Sequence, residues 1–170
     1  MCGKGKVMEG QVDNTYHHED IDTNSKSTEE LESIFDIIFS YMEQINRLQM
    51  QFHPLIEAAK GSECAEVFSK YSAEADKIYA QLLTKRKRTL NYGITYPPRF
   101  IAVSRSSRHT VEVDKNRAVA TVYTETEGNG GLDYQFRLVK KDGEWLMNSI
   151  KQRYHSSDRT IEYQWQNCYF

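Results

Sequence analysis

The residues able to act as acids, bases, nucleophiles or ligands are few and scattered. His17-His18-Glu19-Asp20 places four potential ligands side by side, but the spacing is not that of a closed site, so no metal is expected. Cys2, Cys64 and Cys168 are odd in number and lack CxxC spacing, which argues against a disulfide framework or zinc and for reduced thiols. Gly128-Asn129-Gly130-Gly131 precedes a strand rather than a helix, so it is not a phosphate-cradling loop. No G-x-S-x-G elbow is present, and no cofactor is expected. His109 is the only histidine beside a strand, and it has no visible orienting partner. Asp133 falls on the strand face opposite the apolar one, so no acid–base pair of a buried pocket is visible and no catalytic residue is assigned. An enzyme built on this chain would have to draw on His109, Asp133 and Tyr134.

A second pattern concerns binding. From Lys77 to Val111 there is no Asp or Glu, and the stretch carries Lys77, Lys85, Arg86, Lys87, Arg88, Arg99, Arg105 and Arg108. The formal net charge is −2, so the remainder is strongly acidic. A basic middle can steer an anionic partner, or simply be solvated surface. Tyr92, Tyr96 and Phe100 lie among these cations, a mixture that suits nucleic acid. The sequence pI of 6.2 and the lack of any nucleic-acid motif argue against that partner. The chain also holds 11 tyrosines and 2 tryptophans, and Tyr, Trp and Arg dominate protein interfaces.

The elements that position these residues follow from periodicity. Ser27 and Glu30 have capping-box spacing, so a helix is expected to start at Ser27 or Thr28. Leu31, Ile34, Phe35, Ile38, Met42 and Ile45 form its apolar stripe. Pro54 should stop or bend it near Phe52, with a short helical piece reaching Lys60 and Gly61 as the stop. Ser62 can cap a second helix whose seam is Cys64, Phe68, Tyr71, Ala75, Ile78 and Leu82, ending at Lys85–Arg88, where cations suit the helix dipole. Tyr92–Val103, with Gly93 and Pro97-Pro98, reads as a loop and an irregular first strand. A hairpin follows, Val111–Val113 and Ala118–Glu125 about a turn at Asp114-Lys115-Asn116. Leu132–Val139 turns at Lys141-Asp142-Gly143 into Trp145–Tyr154, and a last strand is expected over Thr160–Gln166. Helices followed by an antiparallel meander argue an α+β fold, two long N-terminal helices packed on a curved antiparallel sheet.

At 170 residues the length fits one domain, burying roughly 70% of the unfolded chain's surface. Residues 1–26 read as a flexible tail, because Val7, Val12 and Ile21 are isolated among polar residues, and 27–170 as a single α+β domain. No apolar run approaches the ~18 residues of a membrane span, and Met1 leads into polar residues without a signal-like apolar region. A cytoplasmic location is expected. The start Met1-Cys2-Gly3-Lys4 also fits a lipoprotein anchored through Cys2 and facing the periplasm.

Helices first, a Pro-Pro loop and then a meander resemble the nuclear transport factor 2-like cone fold. The likeness rests on Ala118-Val-Ala-Thr-Val-Tyr-Thr-Glu125 and on Tyr134-Gln-Phe-Arg-Leu-Val-Lys-Lys-Asp-Gly-Glu-Trp-Leu146. Tyr96-Pro97-Pro98, Val122-Tyr-Thr-Glu125 and Trp145-Leu-Met-Asn-Ser-Ile-Lys151, followed by Arg153, look most like the cone-fold immunity proteins of bacterial polymorphic-toxin systems. Met147-Asn148 departs from the Ile-Asp often found there. The resemblance covers roughly residues 28–166 and implies a small non-enzymatic protein that binds a cognate toxin and blocks it. The residues expected at that interface are Tyr96, Arg99, Arg105, Arg108, Arg153, Tyr154 and Trp165. Other members of the superfamily are isomerases, cyclases or dehydratases, and a ligand-binding lipoprotein is a third class. Cone-fold domains often pair through the outer sheet face, so a homodimer is compatible.

Overall fold

A computed structural model describes residues 21–124, 131–155 and 163–170, with side chains from residue 28 onward. Helix α1 spans Ile21–Ala58. It begins six residues ahead of Ser27, since Ile21–Ser27 holds neither Gly nor Pro to stop a helix growing toward its N-terminus. The rest of the segment expected as a tail, residues 1–20, lies outside the described residues, as do Cys2 and His17–Asp20. Nor does Pro54 end the helix. Pro54 and Met50 both lie on the exposed side of the helix, where the loss of one N–H donor is tolerated, and Ala59 N still donates to Leu55 O at 3.1 Å. The helix stops at Ala58, short of the expected Lys60, and Gly61, with φ at 57°, stands at the start of the next helix instead.

Helix α2 spans Ser62–Leu82. Ser62 is its first residue rather than its cap; the Glu63 carboxylate accepts the Lys60 N–H instead, at 3.1 Å. Of the expected seam, Tyr71, Ala75, Ile78 and Leu82 are buried, Cys64 is half-buried and Phe68 is exposed. The basic tetrad does not sit at the helix end. Leu83 is already extended, because Thr84 N donates to Met147 O at 3.0 Å and docks this segment beside the sheet.

The long connection to the sheet contains no strand. Several of its main-chain groups bond helix side chains instead of a ladder. Gln49 Nε2 and the Tyr71 hydroxyl both donate to Gly93 O, and the Tyr79 hydroxyl donates to Asn91 O at 2.7 Å. Arg99 N donates to Gln49 Oε1 at 2.8 Å and Phe100 N to Asn46 Oδ1 at 2.9 Å. The Tyr96–Pro97 peptide is cis.

Five strands follow in one open antiparallel sheet, in chain order: β1 His109–Asp114, β2 Arg117–Val122, β3 Leu132–Lys141, β4 Glu144–Tyr154 and β5 Gln166–Cys168. The architecture is α+β, two helices followed by the sheet, as the element order implied. The last strand lies nearer the C-terminus than expected and is short; residues 160–162 of the expected strand, and the Gly128 turn, lie outside the described residues. In β4 the inward phase changes at a bulge. Phe136 faces Ile150 while Leu138 faces Met147, so β4 spends one residue more than β3. Met147 and Ile150 consequently both reach the core, at 0% and 1% exposure. Thr84 Oγ1 and Arg88 Nη1 bond the amide oxygen and the carbonyl of the extra residue, Asn148.

The space between sheet and helices is filled by rings. Tyr41 lies 5.7 Å from Phe100, 6.3 Å from Phe136 and 5.8 Å from Phe170, and Phe100 lies 4.8 Å from Tyr134. Tyr134, Phe136 and Trp145 are all buried. Among the described residues no helix is long and apolar enough to cross a membrane.

Candidate functional site

The polar outer face of the sheet carries one ordered row. Continuing each ladder by one residue sets Arg108 opposite Tyr123, Tyr123 opposite Asp133, and Arg153 opposite Trp165; Asp133 and Arg153 are themselves partners in the β3–β4 register. Side chains directly opposite across a sheet are neighbours. Here they alternate as cation, ring, acid, cation, ring. The Arg108 guanidinium stands 4.0 Å from the Tyr123 ring centre, with Tyr123 N donating to Arg108 O at 2.9 Å. Arg153 stands 4.5 Å from the Trp165 ring centre. Such stacking uses the ring quadrupole and holds a flexible cation in one orientation.

At the middle of the row lies a buried carboxylate. The Asp133 side chain is 3% exposed. Its Oδ2 accepts from Arg153 Nε at 3.2 Å, and its Oδ1 from the Thr124 main-chain N–H at 3.2 Å. His155 Nδ1 lies 2.9 Å from Oδ1, and His155 N is anchored on Gly131 O at 2.8 Å. A charge this deep needs several donors to offset its desolvation, and these partners provide them. The sequence placed Asp133 correctly on the face opposite the apolar one but not its burial. His155 and Tyr123 were missed altogether. The signal for His155 is the two-residue step from Arg153, which puts both on one strand face.

The other expected interface residues lie elsewhere. Arg99 is a clasp on the C-terminal segment: its guanidinium bonds Tyr169 O and Cys168 Sγ and lies 5.0 Å from the Phe100 ring centre. Burial pushes the Cys168 thiol up, against the lowering influence of Arg99, which leaves it a poor nucleophile. Arg105 is engaged with α1, at 2.7 Å from Asp36 and 3.3 Å from Glu43. Tyr96 is 70% exposed and rests on the His53 ring at 4.9 Å, away from the row. Tyr154, exposed, follows Arg153 and meets Tyr163 at 5.9 Å. The structure therefore gathers Arg108, Arg153 and Trp165, sets Tyr154 on the strand position next to Arg153 that faces the other way, and separates Tyr96, Arg99 and Arg105.

Of the residues an enzyme would draw on, His109 packs against Phe35 with ring centres 3.9 Å apart, and its Nδ1 lies 2.7 Å from Ser107 O. The Tyr134 hydroxyl donates to Arg99 O at 3.0 Å, and burial pushes its pKa up to about 12. Neither meets Asp133 among the contacts of the described residues. A separate open cleft of about 710 Å³ lies between α1, α2 and the β3–β4 turn, lined by Glu29, Glu30, Lys140, Glu144 and Trp145. Lys140 closes on Glu30 at 2.6 Å and holds that carboxyl below its ordinary value.

Compared with family models, curated proteins and solved structures, the chain matches none.

Proposed function

We infer that this chain is a binding protein whose outer sheet face captures a protein partner, and that the partner is a cognate toxin which it neutralises. The observation that carries the reading is the row Arg108, Tyr123, Asp133, Arg153, Trp165, which presents preorganised Arg and aromatic groups of the kind that anchor interfaces. Ordered side chains lose little entropy on binding. The inner face offers the opposite picture. Its concavity is occupied by Tyr41, Phe100, Tyr134, Phe136 and Phe170, where a small-molecule site of this architecture would need room. The toxin as partner rests on the resemblance to the immunity proteins of cone fold. The interface would bury roughly 1,600 Å². The work would be done in the cytoplasm, or at a membrane surface if Cys2 carries a lipid; palmitate labelling lost in Cys2→Ser distinguishes the two.

The test begins with the full chain as bait in the source organism, under high-salt washing. A stoichiometric partner should be toxic when expressed alone and harmless beside this chain. Trp165→Ala, which leaves the Asp133 pair in place, should weaken the complex by roughly 30-fold, the effect of a typical anchor. A partner that is harmless alone, or a Trp165→Ala chain that binds as well as wild type, overturns the reading.

One observation favours a second reading, a small cone-fold enzyme. A histidine held through Nδ1 by a buried carboxylate, as His155 is by Asp133, leaves Nε2 available as a base. That reading requires a turnover that His155→Gln abolishes without unfolding the chain.

A further inference from the structure

The sheet terminates on one side in β1, and its outer edge is unpaired among the described residues. Five of its six residues are exposed, and Val111 is half-buried. Which main-chain groups face outward follows from the ladder. Arg108 and Tyr123 form a hydrogen-bonded pair, and such pairs recur at every second residue of an antiparallel ladder. Arg108, Thr110, Glu112 and Asp114 therefore point their N–H and C=O groups at β2. His109, Val111 and Val113 point theirs away from the sheet. β1 carries no Pro, Lys or bulge, the devices that usually blunt an exposed edge.

We propose that β1 pairs antiparallel with β1 of a second copy, about a two-fold axis at Val111, joining two sheets into one. The outward groups allow only registers that pair odd-numbered residues with odd-numbered ones. A two-fold at Val111 pairs Val111 with its own copy and His109 with Val113 on both sides, using every outward group of the strand. The intervening residues then decide the register. On the outer face this axis sets Asp114 opposite Arg108 of the second copy and Glu112 opposite Thr110. Opposite charges directly across a ladder stabilise it. An axis at Glu112 would set that carboxylate against itself, and an axis at Val113 would set Glu112 against Asp114; both are repulsive. An axis at Thr110 would leave Val113 unpaired. On the inner face the chosen register sets Val111 against its own copy and Val113, which is 37% exposed, against His109. The occupant that fits in length, register and charge is this strand's own copy.

Two measurements on the full chain test this. Light scattering at about 100 µM should give twice the 19.8 kDa chain mass. Val111→Pro should return it to one chain mass, because the ring removes an outward N–H and leaves the β1–β2 ladder whole. The second measurement reads the register and does not depend on how the proline variant folds. Thr110→Cys combined with Glu112→Cys places two thiol pairs at non-hydrogen-bonded positions, where Cα atoms lie about 4.5 Å apart and a disulfide can form. The double variant should run as a covalent dimer on oxidation. Thr110→Cys alone should not, since its copy is a diagonal neighbour about 7–8 Å away; wild type controls for Cys2, Cys64 and Cys168. A wild-type chain of single mass overturns the proposal. So does a dimer in which the cysteine pair fails to link.

Discussion

Asp133 Oδ2 accepts the Arg153 Nε hydrogen bond at 3.2 Å only because β4 is one residue longer than the strand it pairs with. The turn sets Lys141 opposite Glu144, and an unbroken ladder from there would bring Asp133 to Gln152. The bulge at Asn148 advances the register by one and delivers Arg153 instead. Since successive strand residues face opposite sides, that single step decides whether the buried acid meets a cation.

Replacing that carboxylate tests how much the row's centre holds. Asp133→Ala removes charge-assisted bonds from Arg153 and His155, both partly exposed, and from the Thr124 N–H. Hydrogen bonds to charged groups contribute about 1.5–3 kcal/mol each when deleted from one side, and partial exposure of the partners moderates the sum. A loss of about 2–3 kcal/mol in urea unfolding at neutral pH is expected. A loss under about 0.5 kcal/mol, the scale of a plain surface change, would show that the network is ornamental.

A gain is expected at the inner face. The Tyr41 hydroxyl is wholly buried and has no hydrogen-bond partner among the described residues. An unsatisfied buried hydroxyl costs about 1–3 kcal/mol, whereas its ring packs against Phe100, Phe136 and Phe170. Tyr41→Phe keeps the ring and discards the orphan group. It should raise the unfolding free energy by about 1 kcal/mol, read as a higher urea midpoint at unchanged slope.

What the chain revealed in advance were features carried by periodicity. The stripes of α1 and α2, the hairpin at Lys115-Asn116 and the Asp142-Gly143 turn were all readable, because each is a local pattern with a local cause. Two helix boundaries were not. Pro54 sits on the exposed side, where the loss of a donor is tolerated, and exposure is a tertiary property. Lys85–Arg88 left the helix because Thr84 found Met147, more than sixty residues away. The row was hidden for the same reason. Arg108, Arg153 and Trp165 were each picked out by residue type, but their alignment depends on four registers and a bulge. Arg99 and Arg105 have the same residue type and were absorbed by the C-terminal segment and by α1.

Alkali should expose the tyrosine core. Burial raises the phenols of Tyr41, Tyr71, Tyr79, Tyr92 and Tyr134, those of Tyr92 and Tyr134 to about 12. In the unfolded chain they ionise near pH 10. Above that pH the unfolded state has shed protons the native state still holds, so stability present below about pH 10 is lost as pH rises. The phenolate absorbance should therefore include a late component that appears together with loss of circular dichroism. If all eleven tyrosines titrate before the fold is lost, the packing described for these five is wrong.

The Asp142-Gly143 turn has both residues at positive φ, 53° and 88°. This matches the twist of a two-residue hairpin and favours glycine at the second position. Among the described residues a Cβ at Gly143 would meet nothing within 4 Å, so Gly143→Ala carries only the conformational cost. About 1 kcal/mol of destabilisation is expected, with the β3–β4 register unchanged by amide exchange. A steric clash would cost more, and a free turn would cost nothing.

Asn148 itself separates side-chain chemistry from register. Asn148→Ala removes one bond to Thr84 Oγ1, at 3.1 Å, and leaves the main-chain carbonyl for Arg88. That should cost about 1 kcal/mol. Deleting Asn148 straightens β4 without moving its partners: Ser149 then follows Met147, still opposite Arg137, and Asp133 keeps Arg153. Ile150 likewise stays opposite Phe136, so the deletion differs from the substitution in also removing the carbonyl that holds Arg88. Losing that second bond adds about 1 kcal/mol. The deletion should thus cost about twice as much as the substitution in the same urea titration, with the Asp133–Arg153 pair kept. A deletion several times more costly would mean that the ladder beyond Asn148 had lost its partners and that the pair depends on the bulge itself.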